Sequence, residues 1–319
     1  MSFSMSKLAA AYTADVVLGD PQGMPHPVRV MGKLISYGER LCEPGGASSS
    51  DFVRGGSLSL LTVAASWTAG WLAIRATRLV HPAIGTFIEV GLAWTTLATG
   101  SLISEAGFVV SALESGQVQE ARDSLSMIVG RDTQHLDESE MARAVIETVA
   151  ESLCDGVIAP LMYLAIGGVP LGLAYKAVNT LDSMIGHCEY PYTYFGRFAA
   201  RFDDAANFVP ARVTALSIAV AAAVCSGRFR EAWHTWLNDG HRHPSPNAGQ
   251  SEAAMAGALQ VRLGGTNHYQ GKPSRKPVLG PQFRPPMTSD ARRSLKLARI
   301  ASGLAFAGAI LWCRWRRRA

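Results

Sequence analysis

The sequence predicts an all-α, polytopic integral membrane bundle with long polar loops, and three observations predict it. Of its 319 residues, 48% are hydrophobic and only 17% charged, too apolar for an ordinary soluble enzyme. Five stretches approach the roughly 20 apolar residues that a bilayer-crossing helix needs. Between them, ionisable residues recur at helical spacing from Gly130 to Leu216, where a membrane protein normally places leucine. Charge in such a setting is costly and marks chemistry or transport.

In chain order, residues 7–18 form a weak sixth candidate, shallow or buried against protein. Ser57–Ile74 and Ala83–Ile103 are the clearest early pair, joined by a short connection carrying Arg75, Arg78 and His81-Pro82. Gly156–Val178 is apolar but interrupted by GGVP (167–170), so a broken or re-entrant helix is expected there; such backbone is tolerated in a membrane only where it lines a cavity or is buried in protein. Phe208–Cys225 follows, and Leu297–Cys313 ends in an arginine cluster, RWRRRA. If every candidate crosses, the polar segments 180–207 and 227–296 fall on opposite sides, although both carry site-like residues. The chain reads as one membrane domain, 1–319, with 227–296 a long polar loop contributing to the site. KPSRKPVLGPQFRPP (272–286) reads as irregular.

Five scattered cysteines without a CxxC pair argue against a disulfide framework or a zinc site. The net charge of +5 is concentrated beside apolar helices with few interleaved aromatics, which favours a cytoplasmic membrane face over nucleic acid. The N-terminus lacks the apolar core and cleavage site of a signal peptide.

Glu147, Glu151 and Asp155 are spaced i, i+4, i+8, on one helix face, about 6 Å apart. Such acids repel unless a cation lies among them, so they read as a Mg²⁺ site or as partners of Arg131 and Arg143. Lys176, Asn179 and Asp182 share another face, suited to phosphate and amine or to a structural network. Arg197 and Arg201, one turn apart before Asp203-Asp204 and Asn207, read as an anion clamp. In GDPQGMPHPVRVMG (19–32), His26 sits between two prolines with Arg29 nearby. In HPSPNAGQSE (243–252), the turn holding Ser245 and Asn247 enters a small-residue helix with Glu252, a helix N-terminus open to an anion. HExxH, GxSxG and CxxC are all absent.

Taken together and in order, GDPQGMPHPVRVMG, GRDTQHLDE, ETVAES-x-x-DGVIAPLMY, AYKAVNTLDSMIG, FGRFAARFDDAANFVPAR and HPSPNAGQSEAAMAGALQVRLGG closely resemble the cobinamide-phosphate synthase family of cobalamin biosynthesis, over roughly residues 8–280. The resemblance implies a multi-pass enzyme of the bacterial inner membrane that uses ATP and Mg²⁺. It would join the free propionate of adenosylcobyric acid, a cobalt corrinoid, to the amine of (R)-1-aminopropan-2-ol O-phosphate, giving adenosylcobinamide phosphate. Self-association and association with other late corrinoid-assembly enzymes are compatible with it. In this reading Glu147, Glu151 and Asp155 hold Mg²⁺, while Lys176, Arg131 and Arg201 stabilise an acyl phosphate. Asp182 or His26 takes the amine proton, and Arg197 or Arg212 with the Ser245–Gly249 turn holds the aminoalcohol phosphate. Arg29, Asn179, Asn247 and Glu252 line the substrates. Ser152, Leu153-Cys154, His187-Cys188 and Gln250-Ser251 depart from the family pattern; Ser152 removes an amide ligand. Outside the family reading, an ion-coupled transporter or an intramembrane Mg²⁺-dependent transferase using Asp203-Asp204 fits the same buried acids.

Overall fold

The structure is a computed structural model and describes residues 3–20, 26–45, 49–187, 190–316 and 318. Among the described residues it is helical apart from one hairpin and the connections, as the composition predicts. The chain divides into two compact units. Unit 1 comprises Met1–Ala98, Ala159–Asn207 and Gly308–Ala319; unit 2 comprises Thr99–Ile158 and Phe208–Ala307. Among the described residues, five helical stretches are long and apolar enough to cross a membrane: Ser49–Val80, Pro82–Glu114, Glu138–Ile185, Arg197–Ser226 and Thr288–Arg316. All five contain the segments expected from hydropathy.

Unit 1 opens with α1 (Met5–Leu18), capped by Ser4 and burying Leu8, Ala11 and Asp15. Then α2 (Pro27–Cys42) begins with proline in its first turn. The preceding Pro-rich motif lies outside the described residues at 21–25. Helix α3 (Ser49–Val80) turns through His81, whose ring nitrogen caps α4 (Pro82–Trp94). The expected unbroken helix over Ala83–Ile103 is interrupted. Thr95 and Thr96 bond their hydroxyls back to Leu92 and Ala93 at 2.9 and 2.7 Å, offering the backbone an alternative to continuing the helix.

The GGVP break is present. In α8 (Ala159–Ile185), Gly168 has φ 70°, a left-handed conformation open to glycine, and Pro170 has no N–H for the Ile166 carbonyl. That carbonyl instead accepts from Arg316, and the adjacent Ala165 carbonyl faces the Cys313 thiol at 3.9 Å, both from the end of the last helix. Beyond α8, the short α9 (Tyr192–Phe195) and the start of α10 (Arg197–Ser226) complete this part of unit 1. Ile35, Leu181, Ile185, Phe195 and Ala199 form its apolar core at this end.

Unit 2 holds α5 (Thr99–Glu114), α6 (Val118–Ser126) and α7 (Glu138–Leu153). A reciprocal Asp137–Glu140 capping box starts α7, and a π turn, Cys154–Ile158, ends it just before Pro160. The segment expected as a long polar loop is folded: α11 (Phe229–Asp239), α12 (Ala248–Leu259), then an antiparallel hairpin of β1 (Leu263–Tyr269) and β2 (Lys272–Leu279). Residues 272–279, expected to be irregular, are therefore a strand. Its turn is fixed by a distant segment: the Asp132 carboxylate accepts from Gln270 N at 3.0 Å and Gly271 N at 2.7 Å. Helix α13 (Thr288–Arg316) closes the chain.

Candidate functional site

Two polar centres emerge, one in each unit. In unit 1, α8 carries Lys176, Asn179 and Asp182 along one side. Lys176 Nζ lies 3.4 Å from Asn179 Oδ1. Asp182 folds back over the helix end, where a Cβ on Gly186 would come within 2.0 Å of its Oδ1, so only glycine admits this carboxylate position. From α10, Asp203 is 9% exposed, and its Oδ2 accepts from Asn207 at 2.9 Å. Asn207 Oδ1 accepts in turn from Tyr175 Oη at 2.8 Å, and the Tyr175 ring stacks on Tyr163 at 4.8 Å. Lys176 and Asn179 act on the same Asp203 carboxylate.

His26 belongs to this unit and feels the charges of Asp20, Arg29 and Lys176. Burial lowers its pKa; Asp20 offsets this in part, and Arg29 and Lys176 reinforce it. Its Nδ1 accepts from Val28 N at 3.3 Å, so the neutral ring carries its proton on Nε2, which lies 3.7 Å from Asp20. His26 is thus arranged to donate at Nε2. Arg29, Arg197 and Arg201 are exposed.

The centre of unit 2 is Glu147, 7% exposed. Its Oε2 meets Arg131 at 2.5 Å, and its Oε1 meets Arg143 at 3.3 Å and Gly264 N at 2.8 Å. Arg131 also donates to Asn267 Oδ1 at 2.6 Å, and Arg143 donates to the Gly264 and Thr266 carbonyls at 2.7 and 3.2 Å. The carboxylate therefore ties α7 to β1 through two guanidiniums. Both Glu147 oxygens are engaged by cationic or amide donors, Glu151 is exposed, and Asp155 lies in the π turn that follows α7. Among the described residues no group of three or more His, Cys, Asp or Glu side chains could hold a metal ion.

Glu252 on α12 is 2% exposed, and its carboxyl is pushed well above the usual range by burial first and then by Glu147 and Glu151. His243 Nε2 lies 3.9 Å from Glu252, and His243 Nδ1 accepts from Ser245 N at 3.0 Å. Burial, with Lys276 adding to it, lowers the His243 pKa to about 4. The turn before α12 does not present open amides. The Ser245 hydroxyl already accepts from Asn247 N and Ala248 N at 3.3 and 3.1 Å. Arg212 lies 3.5 Å over the Phe208 ring and donates to the Phe208 carbonyl.

Of the residues departing from the family pattern, Gln250 accepts from Trp236 Nε1 at 2.8 Å and donates to the Gly240 and Pro246 carbonyls, which gives it a structural role. His187 sits edge-on to Tyr192, and Cys188 lies outside the described residues. Sequence reasoning misses Tyr163, Tyr175 and His243 altogether and gives Asp203 no place beside Lys176. The available signals are Tyr175 next to Lys176 and the i, i+4 spacing of Asp203 and Asn207.

Comparison with known proteins places this geometry in a family. The profile of the family described as CobD/Cbib protein matches residues 8–298. A cobalamin biosynthesis protein CobD of Geobacter metallireducens is 49% identical over 86% of each chain. CobD of Klebsiella pneumoniae and CbiB of Salmonella typhimurium, both named cobalamin biosynthesis proteins, are each 42% identical over 93% of each chain. No solved structure matches. The chain belongs to the CobD/CbiB family of cobalamin biosynthesis proteins.

Proposed function

We propose that this protein is an acid–amine ligase that joins (R)-1-aminopropan-2-ol O-phosphate to the free propionate of adenosylcobyric acid at the expense of ATP. The observation that carries this reading is the grouping of Lys176, Asn179, Asp182 and His26 in one unit of a cobalamin-biosynthesis protein. An amide does not form readily from a carboxylate and an ammonium ion; the acid must be activated and the amine deprotonated. The corrin carboxylate attacks the γ-phosphate of ATP, giving an acyl phosphate and releasing ADP. The amine nitrogen then attacks the acyl carbon, and inorganic phosphate leaves with the C–O electron pair.

Each step has a residue suited to it. Lys176 offsets the charge on the transferred phosphoryl group, and His26 Nε2–H donates to an oxygen of the acyl centre. Asp182, half-buried at the helix end, accepts the proton that the ammonium must lose before attack. Mg²⁺ enters as the counter-ion of the ATP phosphates, and no residue of the expected acidic trio is assigned to it.

Purified protein in detergent should consume cobyric acid only when ATP, Mg²⁺ and the aminoalcohol phosphate are all present. Lys176→Ala should lower kcat by about 100-fold or more. The broken helix at Gly168 is also a feature of ion-coupled carriers. Corrinoid uptake into vesicles without ligation would replace the ligase reading with that one.

A further inference from the structure

Helix α11 follows α10 almost without a connection. Ser226 ends α10, Gly227 turns the chain at φ 69°, and α11 starts at Phe229. The corner is fixed from both sides. Gly227 N donates to the Ala223 carbonyl at 3.1 Å, and the Arg228 guanidinium donates to the Leu259 carbonyl, at the end of α12, at 3.4 Å. Three peptide links keep the Phe229 Cα within about 11 Å of that of Ser226. With α10 crossing the membrane, α11 therefore begins at the membrane surface. Val224, in the last turn of α10, is 72% exposed, so apolar surface reaches the corner.

The three sides of α11 differ in character. Ala232, Thr235 and Asp239 share one side and are buried. Here α12 packs so closely that a Cβ on Gly257 would come within 2.4 Å of the Glu231 carbonyl oxygen. A second side carries Arg230, His234 and Asn238, all exposed. The third is apolar along its whole length: Phe229, Trp233, Trp236 and Leu237. Phe229 stacks on Trp233 with ring centroids 5.8 Å apart, and Trp233 meets Trp236 edge-on at 5.0 Å. Trp236 turns its N–H inward to Gln250 Oε1 at 2.8 Å. Phe229 and Leu237, at the two ends of this side, are 38% and 53% exposed.

We infer that α11 lies in the plane of the membrane, with Phe229, Trp233 and Leu237 at the boundary between headgroups and acyl chains. The surface it fits is the lipid bilayer itself. Isolated exposed apolar side chains are ordinary, whereas a continuous aromatic side marks an interaction surface. Upright on the membrane, α11 would hold Leu237 about 12 Å further into water than Phe229. Lying flat, it sets both ends of the aromatic side at one depth, where tryptophan and phenylalanine are favoured. Arg230, on the adjoining side, is then placed to meet lipid phosphates. This placement does not depend on the reaction the protein catalyses.

The test uses full-length protein in phosphatidylcholine–phosphatidylglycerol bilayers, spin-labelled at Phe229→Cys, Leu237→Cys, His234→Cys or Asn238→Cys. The signal of labelled wild type, from its own cysteines, is subtracted. Collisions with oxygen, which concentrates among acyl chains, should exceed those with a water-soluble nickel chelate at 229 and 237. The order should reverse at 234 and 238. Calibrated against lipids labelled at known depths, positions 229 and 237 should both lie about 5–10 Å into the boundary. Nickel collisions dominating at all four positions would stand the helix in water. Few collisions of either kind at 229 and 237 would mean that a second copy covers the side. Either result overturns the inference. A second measurement keeps the side aromatic: the fluorescence lost in Trp233→Phe should be quenched by lipids brominated near the headgroup and spared by aqueous iodide. The opposite pattern would overturn the placement as well.

Discussion

Glu147 shows how one buried carboxylate can organise a region. It holds two guanidiniums and a strand amide, so removing its charge strands Arg131 and Arg143 in a site from which water is largely excluded. Breaking one partner of such a group costs about 3–5 kcal/mol. Glu147→Gln should therefore lower the melting temperature sharply, and adding Arg131→Gln should recover part of the loss. A Glu147→Gln melt equal to the wild type would show that the network contributes nothing. His243 makes a second prediction at this scale. Its folded pKa of about 4 lies below the ordinary 6.5, so the unfolded state binds more protons between those values. Its contribution is complete above about pH 6.5 and is lost as pH falls toward 4, by about 3 kcal/mol. Denaturation midpoints measured across that window should fall more steeply for the wild type than for His243→Asn.

At the scale of elements, prolines explain more than propensities do. Pro210 lies inside α10 and leaves the Ala206 carbonyl without its helical donor. The Tyr163 hydroxyl supplies one at 2.8 Å. Tyr163→Phe should thus destabilise the protein by about 1 kcal/mol, the net worth of a hydrogen bond to a half-buried carbonyl. In a Pro210→Ala background the cost should largely vanish, because an alanine N–H restores the helical bond. Equal costs in both backgrounds, from thermal melts of the four-membered cycle, would dismiss this account. The same chemistry decides what is legible in the sequence. GGVP announces its own break because glycine and proline act locally. The hairpin does not announce itself: KPSRKPVL has no apolar alternation, and the hairpin is anchored by Asp132 and Arg143, more than a hundred residues away. The acidic run at 147–155 is plain in the sequence, but spacing alone cannot show that arginines rather than a metal answer Glu147. Nor can it show that a π turn begins at Cys154, within the run.

For the whole molecule, the sidedness of residues 227–287 connects structure to reaction. This stretch carries Arg228, Arg230, Arg242, Arg262, Lys272, Arg275, Lys276 and Arg284, and it follows a helix able to cross a membrane. Basic residues flanking a crossing helix are retained on the cytoplasmic side. ATP is available on that side, where the ligase reading needs it at Lys176 in unit 1; the side of residues 227–287 follows from their own charge. Exposed Arg275, near the hairpin turn, offers a probe. In Arg275→Cys, a membrane-impermeant maleimide should label inverted vesicles strongly and intact spheroplasts no more than the wild type, whose own cysteines set the background. Strong labelling of intact spheroplasts would put this stretch where no nucleotide reaches it. The basic charge of the stretch would then not fix its side, and the cytoplasmic placement drawn from it would have to be abandoned.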